Sequence, residues 1–497
     1  MELKNTPTVK MGIVAVSRDC FPIELSRKRL NAVLDECRKI SLEVTACSVI
    51  IENERDAMKA VDEMRQKGVN AVAVYLGNFG PEGPETIFAQ KLGAPFMLVG
   101  AAEETANDLI NGRGDAYCGM LNASLNTGLR GLTPHIPQMP ILLPAQVARE
   151  IEYFTNVARV ILGIRGLKAI GFGPRPQDFY ACDAPIKPLY KLGVEVMENS
   201  ELDLLVEYKN AAAKTKEIDA IVKDMEKELG AGNKHPEKLR QLAQFEVALT
   251  TYYENNLGSR EFAVFADKCW PSFESQFEFV PCYVNGRMAA RGIPVACETD
   301  IYGAVSEYMA QCASNYPVTL LDMNNSVPAD LPINDLKPGV TRDDLFMGFH
   351  CGNTAACLLC EGCSVKYQLI MHRLMEPGKS PNITVGTLEG TLRPGPCTVF
   401  RLNTDRNAAL QAYIADGEVP VHDPKTFGGV GVIACKGFGR FYRHVLVEKQ
   451  FPHHGAVAFK NCGQVLWDAL KMLGVASYAP LPENILYPSE NPFLFNK

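Results

Sequence analysis

The chain of 497 residues has no strongly basic stripe, and its formal net charge is −7, so nucleic acid is not expected as its main partner. It opens Met-Glu-Leu-Lys-Asn-Thr-Pro, without a basic start followed by an apolar stretch, so no signal peptide is expected. No run of about 18 apolar residues occurs, so no membrane-spanning helix is expected. Internal repeats and low-complexity tracts are missing. Gly171-Phe-Gly173 lacks a third glycine at the dinucleotide spacing, because Arg175 and Pro176 intervene, so a nucleotide cofactor is not expected. What the chain does have is sixteen cysteines. Without an export signal they read as thiols in a reducing cytoplasm rather than as disulfides. Hydrophobic residues make up 47% and charged residues 22%, enough for a sizeable core, and the length points to two to four domains.

Strand and helix patterns alternate through the first third. Residues 10–17, 42–51, 69–76 and 95–100 read as buried strands, and 22–40, 54–67 and 84–92 carry helical spacing. The alternation predicts a parallel sheet with helices on both faces. It restarts near 163–166, with strands at 167–171, 195–197 and 261–266 around polar helical stretches at 207–229 and 237–256. From about 335 short β-rich pieces dominate, at 365–370, 383–387, 397–403, 430–435, 443–448 and 456–460, with a helix at 465–473. The expected fold is therefore α/β, with two doubly wound parallel-sheet domains (1–165 and 166–335) followed by a β-rich, barrel-like C-terminal domain (336–497).

Two places carry chemistry. In Gly292–Asp300 an apolar strand ends and presents Glu298 and Asp300. A second apolar strand, 317–321, ends in Asp322, followed by Met323, Asn324 and Asn325. Carboxylates just beyond strand ends sit at a sheet's carboxyl edge, where ligands to such sheets bind. Hard divalent cations want such oxygens, and Mn²⁺ also accepts imidazole. His350 and the pair His453–His454 lie beside later strand-like segments. Singly, each feature has a plainer reading: an acid after a strand is commonly a helix N-cap. In a strand, alternation lets only one of two adjacent histidines face a metal, and His454 is the one favoured.

The motifs in order are more specific than any one of them. Ala-Asp-Lys-Cys-Trp-Pro stands at 266–271, then Pro281-Cys282, Gly292–Asp300, Asp322-Met-Asn-Asn325 and Phe349-His-Cys-Gly-Asn353. Gly386-Thr-Leu-Glu-Gly390 and Pro394-Gly-Pro396 follow; Gly114-Asp-Ala-Tyr-Cys-Gly119 and Gly173-Pro-Arg-Pro176 come earlier. The series resembles the L-fucose isomerase / L-arabinose isomerase superfamily, the fucose branch more closely. The resemblance implies Mn²⁺ (other divalent cations are possible) held by a glutamate, an aspartate and a histidine, here Glu298, Asp322 and His454 or His453. It further implies a homo-oligomer, often a hexamer, and a monosaccharide substrate contacted by residues such as His350, Asn353, Trp270, Arg175 and Asn325. His350 stands open between metal ligand and substrate contact.

The implied reaction converts an aldose to a ketose. A metal on both oxygens acts as a Lewis acid, while Glu298 and Asp322 serve as the acid/base pair. Met323 replaces the tryptophan usual after the aspartate in the fucose branch, so the sugar stays open: a deoxyhexose, a pentose, or a hexose with an anionic group at C6 such as a sulfonate. An anionic sugar needs Arg or Lys at the site, and Arg175 and Lys366 are the candidates. A non-catalytic sugar-binding protein and a metal-dependent lyase or aldolase are the competing readings. Cys351, Cys357, Cys360 and Cys363 have cluster-like spacing, but the intervening alanines and leucines read as a buried helix with small apolar thiols.

Overall fold

The computed structural model describes all residues except 1, 2, 108, 111, 335, 492 and 494–497, so the expected boundary residue 335 lies outside the described set. The chain forms two units. One comprises Pro7–Leu162 with Asp468–Gly474; the other comprises Met1–Thr6, Gly163–Trp467 and Val475–Lys497.

The smaller unit is built on strands β1 (Met11–Val16), β2 (Thr45–Ala46), β3 (Ala71–Leu76), β4 (Phe96–Ala101) and β5 (Ile141–Leu142), all parallel, in the order 2-1-3-4-5. β1, β3 and β4 are buried along their whole length, which is why they read as unbroken apolar runs. Helices Ile23–Lys39, Glu54–Gln66 and Glu82–Leu92 connect them. Asn53 starts the second helix by accepting the N–H groups of Arg55 and Asp56. The strand expected over 42–51 shortens to the two residues of β2, which pairs on one side only and is half-buried.

The larger unit opens with a second parallel sheet, β6 (Leu167–Phe172), β7 (Glu195–Asn199), β8 (Phe262–Ala266) and β9 (Val295–Ala296), in the order 7-6-8-9. The polar stretch expected as one helix at 207–229 is two, Glu201–Ala211 and Thr215–Leu229; Ser200 caps the first and accepts the N–H of Leu202. Nine further strands follow: β10 (Val318–Ser326), β11 (Leu345–His350), β12 (Ser364–Tyr367), β13 (Val385–Thr391), β14 (Gly395–Thr404), β15 (Leu410–Val419), β16 (Gly429–Ala434), β17 (His454–Ala458) and β18 (Ala476–Tyr478). They form one mixed sheet, 12-13-16-11-10-17-14-15-18. β15 also bridges β16 at Glu418 and Ala434, so 16-11-10-17-14-15 closes a six-stranded ring. The architecture is thus α/β with two doubly wound parallel sheets and a β-rich, barrel-like sheet.

Three expectations are corrected. The strand carrying Asp322 does not end there: β10 runs on to Ser326, antiparallel between β17 and β11. Asp322 is therefore a mid-strand residue of the β-rich sheet, not a residue beyond a parallel strand. Residues 443–448, read as a strand, lie in a π-helical turn (Tyr442–Val447) that continues the short helix Phe438–Phe441. Between Cys351 and Cys363 the only helical piece is a three-residue 3-10 turn, Ala356–Leu358, and these cysteines are half-buried. None of the sixteen cysteines is in a disulfide. No helix among the described residues is long and apolar enough to cross a membrane.

Candidate metal centre

Glu298 follows the two-residue edge strand β9, as the sequence suggested for a carboxylate at a sheet's carboxyl edge. Its backbone is left-handed (φ 62°, ψ 24°), as is that of Thr299 (φ 55°). Two successive non-glycine residues in this region, one of them β-branched, carry strain on the order of 1 kcal/mol or more each. The turn is held by Thr299 N–H donating to the Asp267 carbonyl at 2.7 Å and by Asp300 N–H donating to the Cys297 carbonyl at 3.2 Å. Asp300 then starts helix Ile301–Ser314, its carboxylate accepting the Gly303 N–H at 2.8 Å.

Asp322 stands opposite His454, the first residue of β17, in the antiparallel ladder. Its neighbours Leu321 and Met323 pack into the main hydrophobic cluster of the unit, so alternation turns the Asp322 carboxylate to the other face. There His454 Nε2 lies 3.2 Å from Glu298 Oε2 and 3.3 Å from Asp322 Oδ1. Neither contact has the geometry of a hydrogen bond, and both Asp322 Oδ1 and His454 Nε2 are buried without a partner. A cation with ligands at about 2.1 Å in octahedral array sets neighbouring donors about 3 Å apart. His454 Nε2 is thus spaced from a Glu298 oxygen and from an Asp322 oxygen as two donors of one divalent cation would be, and the orphaned atoms are what such an ion would satisfy.

The other ring nitrogen of His454 is fixed. Nδ1 lies 2.8 Å from Asp300 Oδ2, and the Cys182 thiol is 3.7 Å away. Asp300 in turn accepts two hydrogen bonds from Arg401 on β14, at 2.5 and 3.0 Å, and both side chains are about 1% exposed. Burial would raise the Asp300 carboxyl, but the Arg401 guanidinium and His454 hold it well below the usual carboxylate range. Burial also disfavours a charged His454, yet Asp300, Asp322, Cys182 and Glu298 around it hold its pKa well above the ordinary value. A proton on Nε2 and a cation compete for the same position. Asp322, which burial alone would raise, is lowered to about 2 by His454, His350 and His453.

His350 ends β11 and is buried; its ring lies 5.8 Å from that of His454. Its Nδ1 accepts the Cys351 N–H at 2.9 Å, which leaves the ring proton on Nε2. His453 Nε2 comes within 3.5 Å of Asp322 Oδ1. Both members of the histidine pair thus reach the same carboxylate. Alternation had allowed one, but His453 precedes the first residue of β17 and is not bound by the pleat. Every group of His, Cys, Asp and Glu that could hold a metal among the described residues includes His454; the partners are Glu298 with His453, Asp322 with His350, and Cys182 with Asp300.

The remaining expected residues spread outward. Trp270 meets Phe179 edge-on at 6.3 Å, and Phe179 lies 5.3 Å from His453 and 6.4 Å from His454. Arg175 stands 4.5 Å above the Tyr180 ring in the same segment. Asn353 is buried and donates to the Leu320 carbonyl at 3.4 Å, with its own oxygen unpartnered. Asn325 is exposed and lines a cavity of about 820 Å³ with Asn324, Phe349 and Phe427; neither Glu298 nor Asp322 is among its lining residues. Lys366 is tied to Glu389 at 2.8 Å. Sequence reasoning had no role for Arg401, Cys182 or Phe179, and it noted Asp300 without assigning it one. The spacing of Asp300 before Gly303 is an N-cap signal, but nothing local links it to Arg401, 101 residues on.

The chain resembles known proteins in sequence. Residues 12–165 match the family model "Fucose/sulfoquinovose isomerase, N-terminal domain", and residues 348–479 match "L-fucose isomerase, C-terminal domain". A sulfoquinovose isomerase of Clostridium sp. (strain MSTE9) is 25% identical over 293 residues, 58% of this chain and 58% of that protein. One from Priestia aryabhattai is 24% identical over 327 residues, 64% of this chain and 66% of that protein. Another from Alkalicoccus urumqiensis is 25% identical over 321 residues, covering 62% and 64%. The chain thus spans less than two thirds of the length of these relatives.

Proposed function

Since the chain belongs to the fucose isomerase-like superfamily, we propose that it is an aldose–ketose isomerase acting on a C6-modified monosaccharide, a 6-sulfo aldose such as sulfoquinovose in particular. The observation that carries this reading is the approach of Glu298 Oε2 and Asp322 Oδ1 to His454 Nε2, at 3.2 and 3.3 Å, with Asp322 Oδ1 and His454 Nε2 buried and unpartnered. The names of the matched relatives support the sulfonated substrate.

Glu298, Asp322 and His454 would hold the ion, which we take to be Mn²⁺ from the mixed oxygen and imidazole donors, and which would supply Lewis acidity for the sugar oxygens. The two carboxylates flank His454 Nε2 and divide the proton work. One takes the proton from C2 and returns it to C1, and the other moves a proton between the oxygens, through an enediol. Asp300 keeps a proton on His454 Nδ1, so that Nε2 presents its lone pair; Arg401 keeps Asp300 charged for that task. His350, with its proton on Nε2, serves as a hydrogen-bond donor to a sugar oxygen rather than as a metal ligand. Trp270 and Phe179 supply an apolar wall.

We further infer a cytoplasmic homo-oligomer, a hexamer by family resemblance. Sixteen cysteines outside disulfides suit a reducing compartment, and light scattering on the purified protein tests the oligomer. Activity is tested by incubating the Mn²⁺-reconstituted protein with sulfoquinovose, other C6-modified aldoses and pentoses, and following ketose formation by NMR. An isomerase conserves the mass of the sugar. Two fragments would mean a lyase, and binding without conversion would mean a sugar-binding protein.

A further inference from the structure

We propose that Arg175 is the specificity-determining residue of this site and grips an anionic group, a sulfonate, at C6 of the substrate. This rests on the isomerase reading and adds the residue that selects the substrate class.

The centre itself offers an anion little. Glu298, Asp300 and Asp322 bring three negative charges against Arg401 and a divalent cation, so the loaded centre is close to neutral. The sulfonate, moreover, lies the length of an open-chain hexose away from C1 and C2. Its counter-charge must come from a separate cation beside the centre.

Four basic side chains named on this unit can be compared. Arg401 gives both of its terminal nitrogens to Asp300. Lys268 donates to the Pro174 carbonyl at 2.8 Å and stands 3.3 Å from Glu201. Lys366 is held by Glu389 at 2.8 Å. Arg175 differs. Its carboxylate contact, Asp183, is 3.8 Å away and itself 58% exposed, whereas its Nε is buried with no hydrogen-bond partner, as is that of Arg401. The guanidinium carbon lies 4.5 Å from the centre of the Tyr180 ring, which supports one side of the group and leaves N–H bonds to give.

The segment that carries Arg175 also forms a wall of the centre. Phe179 meets His453 and Trp270, and the Cys182 thiol is 3.7 Å from His454 Nδ1. Arg175 reaches back to Asp183, the residue after Cys182, and so closes the segment beside the metal ligands. A planar guanidinium with paired N–H donors matches the oxygens of a sulfonate as it matches those of a phosphate or carboxylate.

The test compares the Mn²⁺-loaded wild type with R175Q and R175K on sulfoquinovose and on its neutral 6-deoxy counterpart. Binding of each sugar is read by calorimetry alongside turnover. R175Q is expected to lower the ratio of kcat/KM for the sulfonated over the neutral sugar by about ten- to a hundredfold, mainly through KM, since hydrogen bonds to a charged group are lost. R175K, which keeps the charge but not the fork, is expected to fall between, and it carries the test if R175Q does not fold. An unchanged ratio in both variants, with wild type still converting sulfoquinovose, overturns the role of Arg175 alone. Wild type that neither binds nor converts sulfoquinovose overturns the substrate reading and the role of Arg175 with it.

Discussion

At Glu298 and Asp322 the chain places two carboxylates against one imidazole nitrogen, each within 3.3 Å of it. Glu298→Gln and Asp322→Asn are each expected to lower isomerase activity by about a hundredfold or more while the protein stays folded; activity with circular dichroism as a folding control checks this, and full activity in either variant would break the assignment. Asp300 acts on the same imidazole from behind. Asp300→Asn is expected to weaken Mn²⁺ binding by about ten- to a hundredfold, measured by calorimetry in the absence of sugar; unchanged affinity would reduce Asp300 to a helix cap. The proposed ligands were singled out in the sequence, Glu298 and Asp322 by the ordered motifs they fall in and His454 by the later histidine pair. Arg401 and Cys182 could not. Each meets the centre through one long-range contact, and a buried arginine in an alternating strand looks like any outward-facing arginine until its partner is known.

At the scale of elements, the parallel strands were legible because burial on both faces leaves unbroken apolar runs, as in β1, β3 and β4. β10 was half legible. Its first four residues are mostly apolar and buried, and the polar Asp322-Met-Asn-Asn that follows looks like a loop although Asp322 is paired on both sides and the strand stays paired to β11 beyond it. The π-helical turn at Tyr442–Val447 misled for the opposite reason, since Val445 and Val447 give it a strand's composition. Helix Glu82–Leu92 carries an element-level prediction. Glu85 is buried with both oxygens unpartnered, and burial pushes its carboxyl from 4.5 to about 8. Below the unfolded value both states hold the proton; between the two values only the folded state does, so stability falls as pH rises from about 4.5 to 8. The slope is on the order of 1 kcal/mol per pH unit at most. Glu85→Gln should flatten this part of the profile in urea melts at a series of pH values; a parallel profile would show that Glu85 does not titrate this way.

For the whole molecule, the sixteen cysteines outside disulfides give a direct count. Thiol titration should find Cys20 and Cys118, the two exposed ones, reacting first under native conditions and all sixteen after unfolding; a shortfall in the unfolded protein would mean disulfides. Loading the proposed site with Mn²⁺ should raise thermal stability, and chelation should reverse the gain. At an ion concentration one hundred times its dissociation constant the gain is about 2.7 kcal/mol, read as a rising Tm in calorimetry. The register of the β-rich sheet has one more consequence. Asp322 faces His454 across one ladder, and β11, which ends in His350, pairs along its other edge. These three strands hold most of the centre as a single hydrogen-bonded patch, and only the strained turn at Glu298 arrives from another sheet. A protein engineer wishing to move this centre into a foreign barrel could copy β17, β10 and β11 as a block, but would then have to supply one left-handed glutamate from outside.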